Sequence, residues 1–167
     1  MYHPIEQPEE IPVREREDAM GAYLMMFGAL AAGLPLPIIN LIASVVYYFI
    51  NKDKSNFVKF HALQSLYSQL PTTLMNAGLI FWTLQILSVG LVETPFESFA
   101  TANDIYWGYL YTTLTANIVY VVFSFIGAYK ARKGLLYYFI FFGKLAYHQA
   151  YKIKIQEKSI MENLPPS

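Results

Sequence analysis

The sequence predicts an all-α integral membrane helical bundle. Four helices are expected, the first two a short Pro-linked hairpin, followed by an interfacial C-terminal helix. Three observations predict it. Only 14% of the 167 residues are charged while 55% are hydrophobic, whereas water-soluble domains run to about 25% charged. The runs 19–51, 60–92 and 105–129 hold no Asp, Glu, Lys or Arg, and runs of that length can cross a hydrocarbon core of ~30 Å. The charges between the runs also segregate by sign, as loops on opposite sides of a bilayer do.

Three stretches are expected: 1–17 a disordered acidic tail, 18–158 the membrane helical domain, and 159–167 a second disordered tail. Met1–Arg16 holds three prolines and several acids, a composition too polar to bury a core. It lacks the basic start of a secretory signal, so the first apolar segment is expected to remain as an anchor. Ala19–Ile50 would form a rod of roughly 48 Å at ~1.5 Å per residue, longer than one crossing needs. Gly33-Leu34-Pro35-Leu36-Pro37 interrupts it, and each proline removes a backbone donor and disfavours helix at the residue before it. Two short helices, about 19–33 and 37–51, are therefore expected, the competing reading being one tilted, kinked span.

Ser55 or Asn56 can cap the next helix. Pro71 is expected to end its amphipathic part, and Pro71–Val92 forms an uncharged crossing. Gly78 and Gly90 permit close packing there. Ile105–Tyr129 is the clearest crossing, entered through Tyr106, Trp107, Tyr109 and Tyr111 as an aromatic belt is. The apolar run after Gly134 is too short to cross. Aromatic and basic residues alternate from there to Lys158, which suits an interfacial helix on an anionic leaflet.

Lys52, Lys54 and Lys59 lie before the third helix, and Lys130, Arg132 and Lys133 close the fourth; the stretch 93–104 has three acids and no Lys or Arg. The positive-inside rule then gives a multi-pass protein of the cell inner (cytoplasmic) membrane, with both termini cytoplasmic.

The candidate site is the polar stretch Asn51–Leu70. Helical spacing puts His61, Gln64, Ser65, Ser68 and Thr72 on one face. The sharp reading is a partner-binding or gating surface; the bland one places His61 and Gln64 on the wet side of an interfacial helix. Asn40, Asn76 and Asn117 lie inside apolar runs, as a polar pathway or as interhelical hydrogen bonds. The absence of cysteine excludes disulfides and thiolate chemistry. His3, His61 and His148 are far apart, with no carboxylate at helical spacing from any of them, so no metal and no cofactor are expected. No catalytic motif is present, so no enzyme is expected. Lys+Arg and Asp+Glu balance at 12 each, so no nucleic-acid footprint appears. The expected partners are the lipid bilayer and other membrane proteins or nascent chains.

Ser55-Asn-Phe-Val-Lys-Phe-His-Ala-Leu-Gln-Ser-Leu66 and Ile126-Gly-Ala-Tyr-Lys-Ala-Arg-Lys-Gly134 resemble segments of the twenty-kilodalton subunit family of the chloroplast inner-envelope protein translocon and its bacterial relatives of unknown function. The likeness covers roughly residues 19–150. It implies a four-helix membrane protein, acting as a subunit or accessory factor in protein translocation or membrane-protein assembly. The alternative is a small oligomeric transporter or channel.

Overall fold

A computed structural model describes residues 10–31, 37–89 and 104–151. Among these residues all regular structure is helical: α1 (Val13–Ala31), α2 (Pro37–Asn51), α3 (Asn56–Val89), α4 (Asp104–Arg132) and α5 (142–151). The all-helical class is shown. Among the described residues two helices, α3 over Asn56–Ser88 and α4, are long and apolar enough to cross a membrane, and Ile38–Asn51 is a shorter apolar helix. α1 opens on five charged residues, Arg14 to Asp18, and α2 is only 15 residues long. The 93–103 stretch and both chain ends lie outside the described residues.

α1 starts six residues earlier than the uncharged run suggests. Arg16 N–H donates to the Pro12 carbonyl at 3.1 Å and closes the first turn. The charges sit at the helix end, where they meet partners on other elements. Glu17 pairs with Arg132 at 2.6 Å and Asp18 with Lys54 at 2.7 Å. Exposed pairs of this kind are worth at most about 1 kcal/mol each, so they align the ends of the helices more than they stabilise them.

α3 is one helix of 34 residues, not two pieces broken at Pro71. Ser55 Oγ accepts from Val58 N–H at 3.2 Å as the N-cap. Pro71 removes one donor, but it lies on the exposed face of the helix. The packing on both sides carries the helix through: tertiary contacts override a local breaker.

α3 and α4 form an antiparallel pair. Thr83 meets Tyr106 at 3.0 Å, and Asn76 meets Asn117 at 2.9 Å. α1 runs antiparallel to α4, with Tyr23 against Gly127 and Arg16 against Gly134. The start of α1, the α2–α3 turn and the end of α4 therefore share one end of the bundle. The core sits in that half: Tyr23, Phe57, Phe60 and Leu63 pack against Ala128, Ala131, Phe139 and Ala146. Beyond it the α3–α4 pair turns large apolar side chains outward, with Leu74 73% and Phe81 65% exposed. An apolar exterior of this kind marks a surface made for lipid or another apolar partner.

α4 ends in a Schellman cap. Leu135 N–H reaches the Lys130 carbonyl at 3.0 Å and Gly134 N–H reaches Ala131 at 2.9 Å, with Gly134 at φ 75°. The cap reverses the chain and sends residues 135–141 back into the bundle as irregular backbone. Buried backbone outside a helix needs partners for its N–H and C=O groups, and these partners define the site.

Candidate functional site

Gln64 supplies them. Its Nε2 donates to the Tyr137 carbonyl at 2.9 Å, and its Oε1 accepts from Phe139 N–H at 3.1 Å. The side-chain amide acts as a peptide group, pairing with the returning strand of backbone as a neighbouring strand would. Nε2 donates a second bond to Tyr23 Oη at 2.8 Å. Since Tyr23 Oη accepts there, its own hydrogen points at His61 Nδ1, 2.9 Å away. That leaves the His61 proton on Nε2. Nε2 is near the Leu135 backbone but has no partner in bonding geometry. Rings of Tyr23, Phe57 and Phe60 stand edge-on to the imidazole.

Two elements are thus tied to α3 within one turn. α1 enters through Tyr23 and through the Ala22 carbonyl, which accepts from Ser65 Oγ at 2.8 Å. The 135–141 segment enters through its backbone, and α4 closes on both, its Gly127 against Tyr23 and Phe139. A Cβ at Gly127 would stand 2.8 Å from the Tyr23 ring, and one at Gly143 2.6 Å from Tyr138 Cα and 2.8 Å from Gln64 Oε1. Both glycines exist for close approach.

A second buried polar group continues along the α3–α4 seam. Ser68 Oγ bonds the Ser65 carbonyl at 2.8 Å. Gln69, Tyr120 and Ser124 are buried beside it with side-chain atoms outside bonding geometry. Further on, Asn76 and Asn117 exchange both bonds, at 2.9 and 3.1 Å, and each also donates to a carbonyl one turn back.

Of the five residues expected on one face, His61, Gln64, Ser65 and Ser68 are buried, and Thr72 is half-buried and bonded to the Gln69 carbonyl of its own helix. The wet-side reading of His61 and Gln64 is corrected: both are 0% exposed. The polar face points inward because a second chain segment covers it. Among the three asparagines, Asn76 and Asn117 come together, while Asn40 on α2 stands apart with its Oδ1 unpartnered. Sequence reasoning missed Tyr23, which lies in an uncharged run that marks no residue as special. It also missed Gly143, where a glycine closing an aromatic run was the available signal for tight backbone contact.

Among the described residues no group of three His, Cys, Asp or Glu side chains gathers where a metal ion could bind. The site orders the backbone, and its histidine is enclosed by the rings of Tyr23, Phe57 and Phe60.

A family model described as the magnetosome magnetite crystal formation protein family (MamF/MmsF) matches residues 15–146, from the first turn of α1 into α5. No curated protein and no solved structure matches. The family match overturns the translocon resemblance and the reading built on it: a protein-transport or membrane-assembly subunit, with a transporter or channel as alternative. The physical reason lies in the motif that carried the likeness. His61-Ala62-Leu63-Gln64 faces the interior and clamps α1 and the 135–141 backbone. It is a folding device, and a folding device does not specify function.

Proposed function

The chain belongs to the magnetosome magnetite crystal formation protein family, and from that premise we propose that it is a non-enzymatic membrane protein of the magnetosome that acts on the growing crystal through the segment joining α3 and α4. The observation that carries this reading is the charge polarity of the α3–α4 pair. One end gathers Lys52, Lys54, Lys59, Lys130, Arg132 and Lys133; at the other, the joining segment carries Glu93 and Glu97 and α4 opens on Asp104, with no Lys or Arg over 93–104. The positive-inside rule sets the basic end in the cytoplasm and the acidic end on the far side of the membrane. In a magnetosome the far side is the crystal side. Carboxylate oxygens are hard ligands suited to iron ions and to the cations of an oxide surface. Iron is here the mineral's material, held briefly by the protein, and the acidic segment is the part of the chain with the charge to attract it.

This reading puts the start of α1 and the end of α4 on the cytoplasmic side. The Tyr23–His61–Gln64 network then serves the function indirectly, by fixing the α3–α4 pair that carries the segment.

The test is complementation in a magnetite-forming host lacking its own family member. The triple variant Glu93→Gln, Glu97→Gln, Asp104→Asn should reach the membrane at the normal level and fail to restore crystal size. Restoration equal to the unaltered chain would refute the assignment to this segment.

A further inference from the structure

We propose that the cleft between α3, α4 and the 139–142 segment is a lateral pocket that holds one acyl chain of a membrane lipid. The inference rests on the membrane reading above and adds a ligand to it.

The cleft measures about 280 Å3 and is lined by Ser68 and Thr72 of α3, Ala116 and Val119 of α4, and Ile140 and Phe141 of the returning segment, among others. Three hydroxyl-bearing residues line it, and one of them, Tyr120, keeps its Oη buried behind the wall, out of bonding geometry with any neighbour. Ser68 Oγ is bonded to the Ser65 carbonyl at 2.8 Å and Thr72 Oγ1 to Gln69 at 3.0 Å. The walls are hydrocarbon in effect. A water molecule needs two to four polar partners, and apolar cavities of ~150 Å3 stay dry and take up hydrocarbon instead. The cleft is larger than that, and it calls for an apolar guest.

Its position selects the guest. Ala116 and Val119 lie at the middle of α4, which runs from Asp104 to Arg132. In a crossing helix that is the depth of lipid tails, out of reach of water-soluble molecules. The rim continues directly into apolar surface, with Ile118 66%, Ile140 78% and Phe141 80% exposed. A tail enters sideways without leaving hydrocarbon.

The pocket also has a mechanical consequence. One wall is the irregular segment held by Gln64, so a chain in the cleft braces Phe139–Phe142 from the lipid side while Gln64 holds the backbone from the core side.

The experiment uses the full chain reconstituted in phosphatidylcholine liposomes doped with a phosphatidylcholine bearing a diazirine midway along one acyl chain. Flotation and resistance to alkaline carbonate are scored first; a chain that fails them overturns the membrane reading and the pocket together. After irradiation, adducts are mapped on peptides. They should concentrate several-fold on 116–119 and 140–142 over Leu74 and Val122, which are exposed near the same depth. Ala116→Phe and, separately, Val119→Trp should fill the cleft and remove the excess on 140–142, leaving labelling at Leu74 unchanged. Either variant with unaltered helicity suffices for the comparison. Adducts that follow exposure alone, or an excess that survives filling in a folded variant, would overturn the pocket while leaving the membrane reading intact.

Discussion

Replacing Gln64 with leucine isolates the clamp. The side chains are close in volume, so the core stays filled, but three hydrogen bonds vanish: to the Tyr137 carbonyl, to Phe139 N–H and to Tyr23 Oη. Tyr23 keeps His61 as its acceptor at 2.9 Å, so its loss is small. The Phe139 amide has no such recourse, because its bond is buried, while the Tyr137 carbonyl is part-buried. Leaving a buried polar group unpaired costs about 1–3 kcal/mol, and the partly solvated carbonyl costs less, so the two together cost roughly 2–4 kcal/mol. At roughly 2–4 °C per kcal/mol for a chain of this size, the melting temperature in mild detergent should fall by at least about 4 °C. Hydrogen exchange supplies a local readout. The Phe139 amide should lose protection in Gln64→Leu while amides in the middle of α4 keep theirs. Gln64→Glu provides the chemical control: one oxygen still accepts from Phe139, but the other would face the Tyr137 carbonyl, acceptor against acceptor. It should be no more stable than the leucine variant. A leucine variant that melts with the unaltered chain and protects Phe139 equally would refute the view that Gln64 holds the returning segment.

Gly143→Ala forces a Cβ to 2.6 Å from Tyr138 Cα; overpacking against backbone costs roughly 1–3 kcal/mol, and a thermal scan showing no loss would mean that the two segments are not in contact. A double-mutant cycle on Asn76→Leu and Asn117→Leu should give a coupling near 0.6 and below about 1.7 kcal/mol, the range for interhelical hydrogen bonds in membranes; additive single effects would show that the pair does not form. Glu17→Gln should cost under about 1 kcal/mol and lose even that at high salt, as an exposed ion pair does; a larger, salt-insensitive loss would give the Glu17–Arg132 contact a role that its exposure denies.

The helical architecture was legible in the sequence because its determinants are local. Ser55 marked the start of α3, and Gly134 followed the last turn of α4. The boundaries that moved were set by distant partners. Val13 to Glu17 read as tail, yet they form the first turns of α1, where Glu17 meets Arg132; Pro71 read as a stop until packing on both sides outweighed one missing donor. The polar face of α3 was visible by spacing, but not its direction. Spacing alone cannot tell a face turned to water from one covered by another segment. What covers it is backbone from residues more than seventy positions away, whose hydrogen-bonding groups carry no side-chain signature.

The same asymmetry explains why a motif can be specific and still misdirect. His61 and Gln64 stand out in an apolar chain because burying polar groups is costly, so their presence signals a strong reason to be there. The reason here is structural: the chain reverses after Gly134 without a helix or sheet to satisfy it, and Gln64 completes the hydrogen bonding. Any protein sharing this reversal faces the same requirement, whatever its task. The lack of Lys and Arg in the segment joining α3 and α4 follows from the positive-inside rule, which Asp and Glu hardly affect. Its acids are the part of the pattern that insertion does not set, and on the proposed function they report on what lies across the membrane. Function in this chain is therefore better read from the free ends of the α3–α4 pair than from its most conspicuous buried residues.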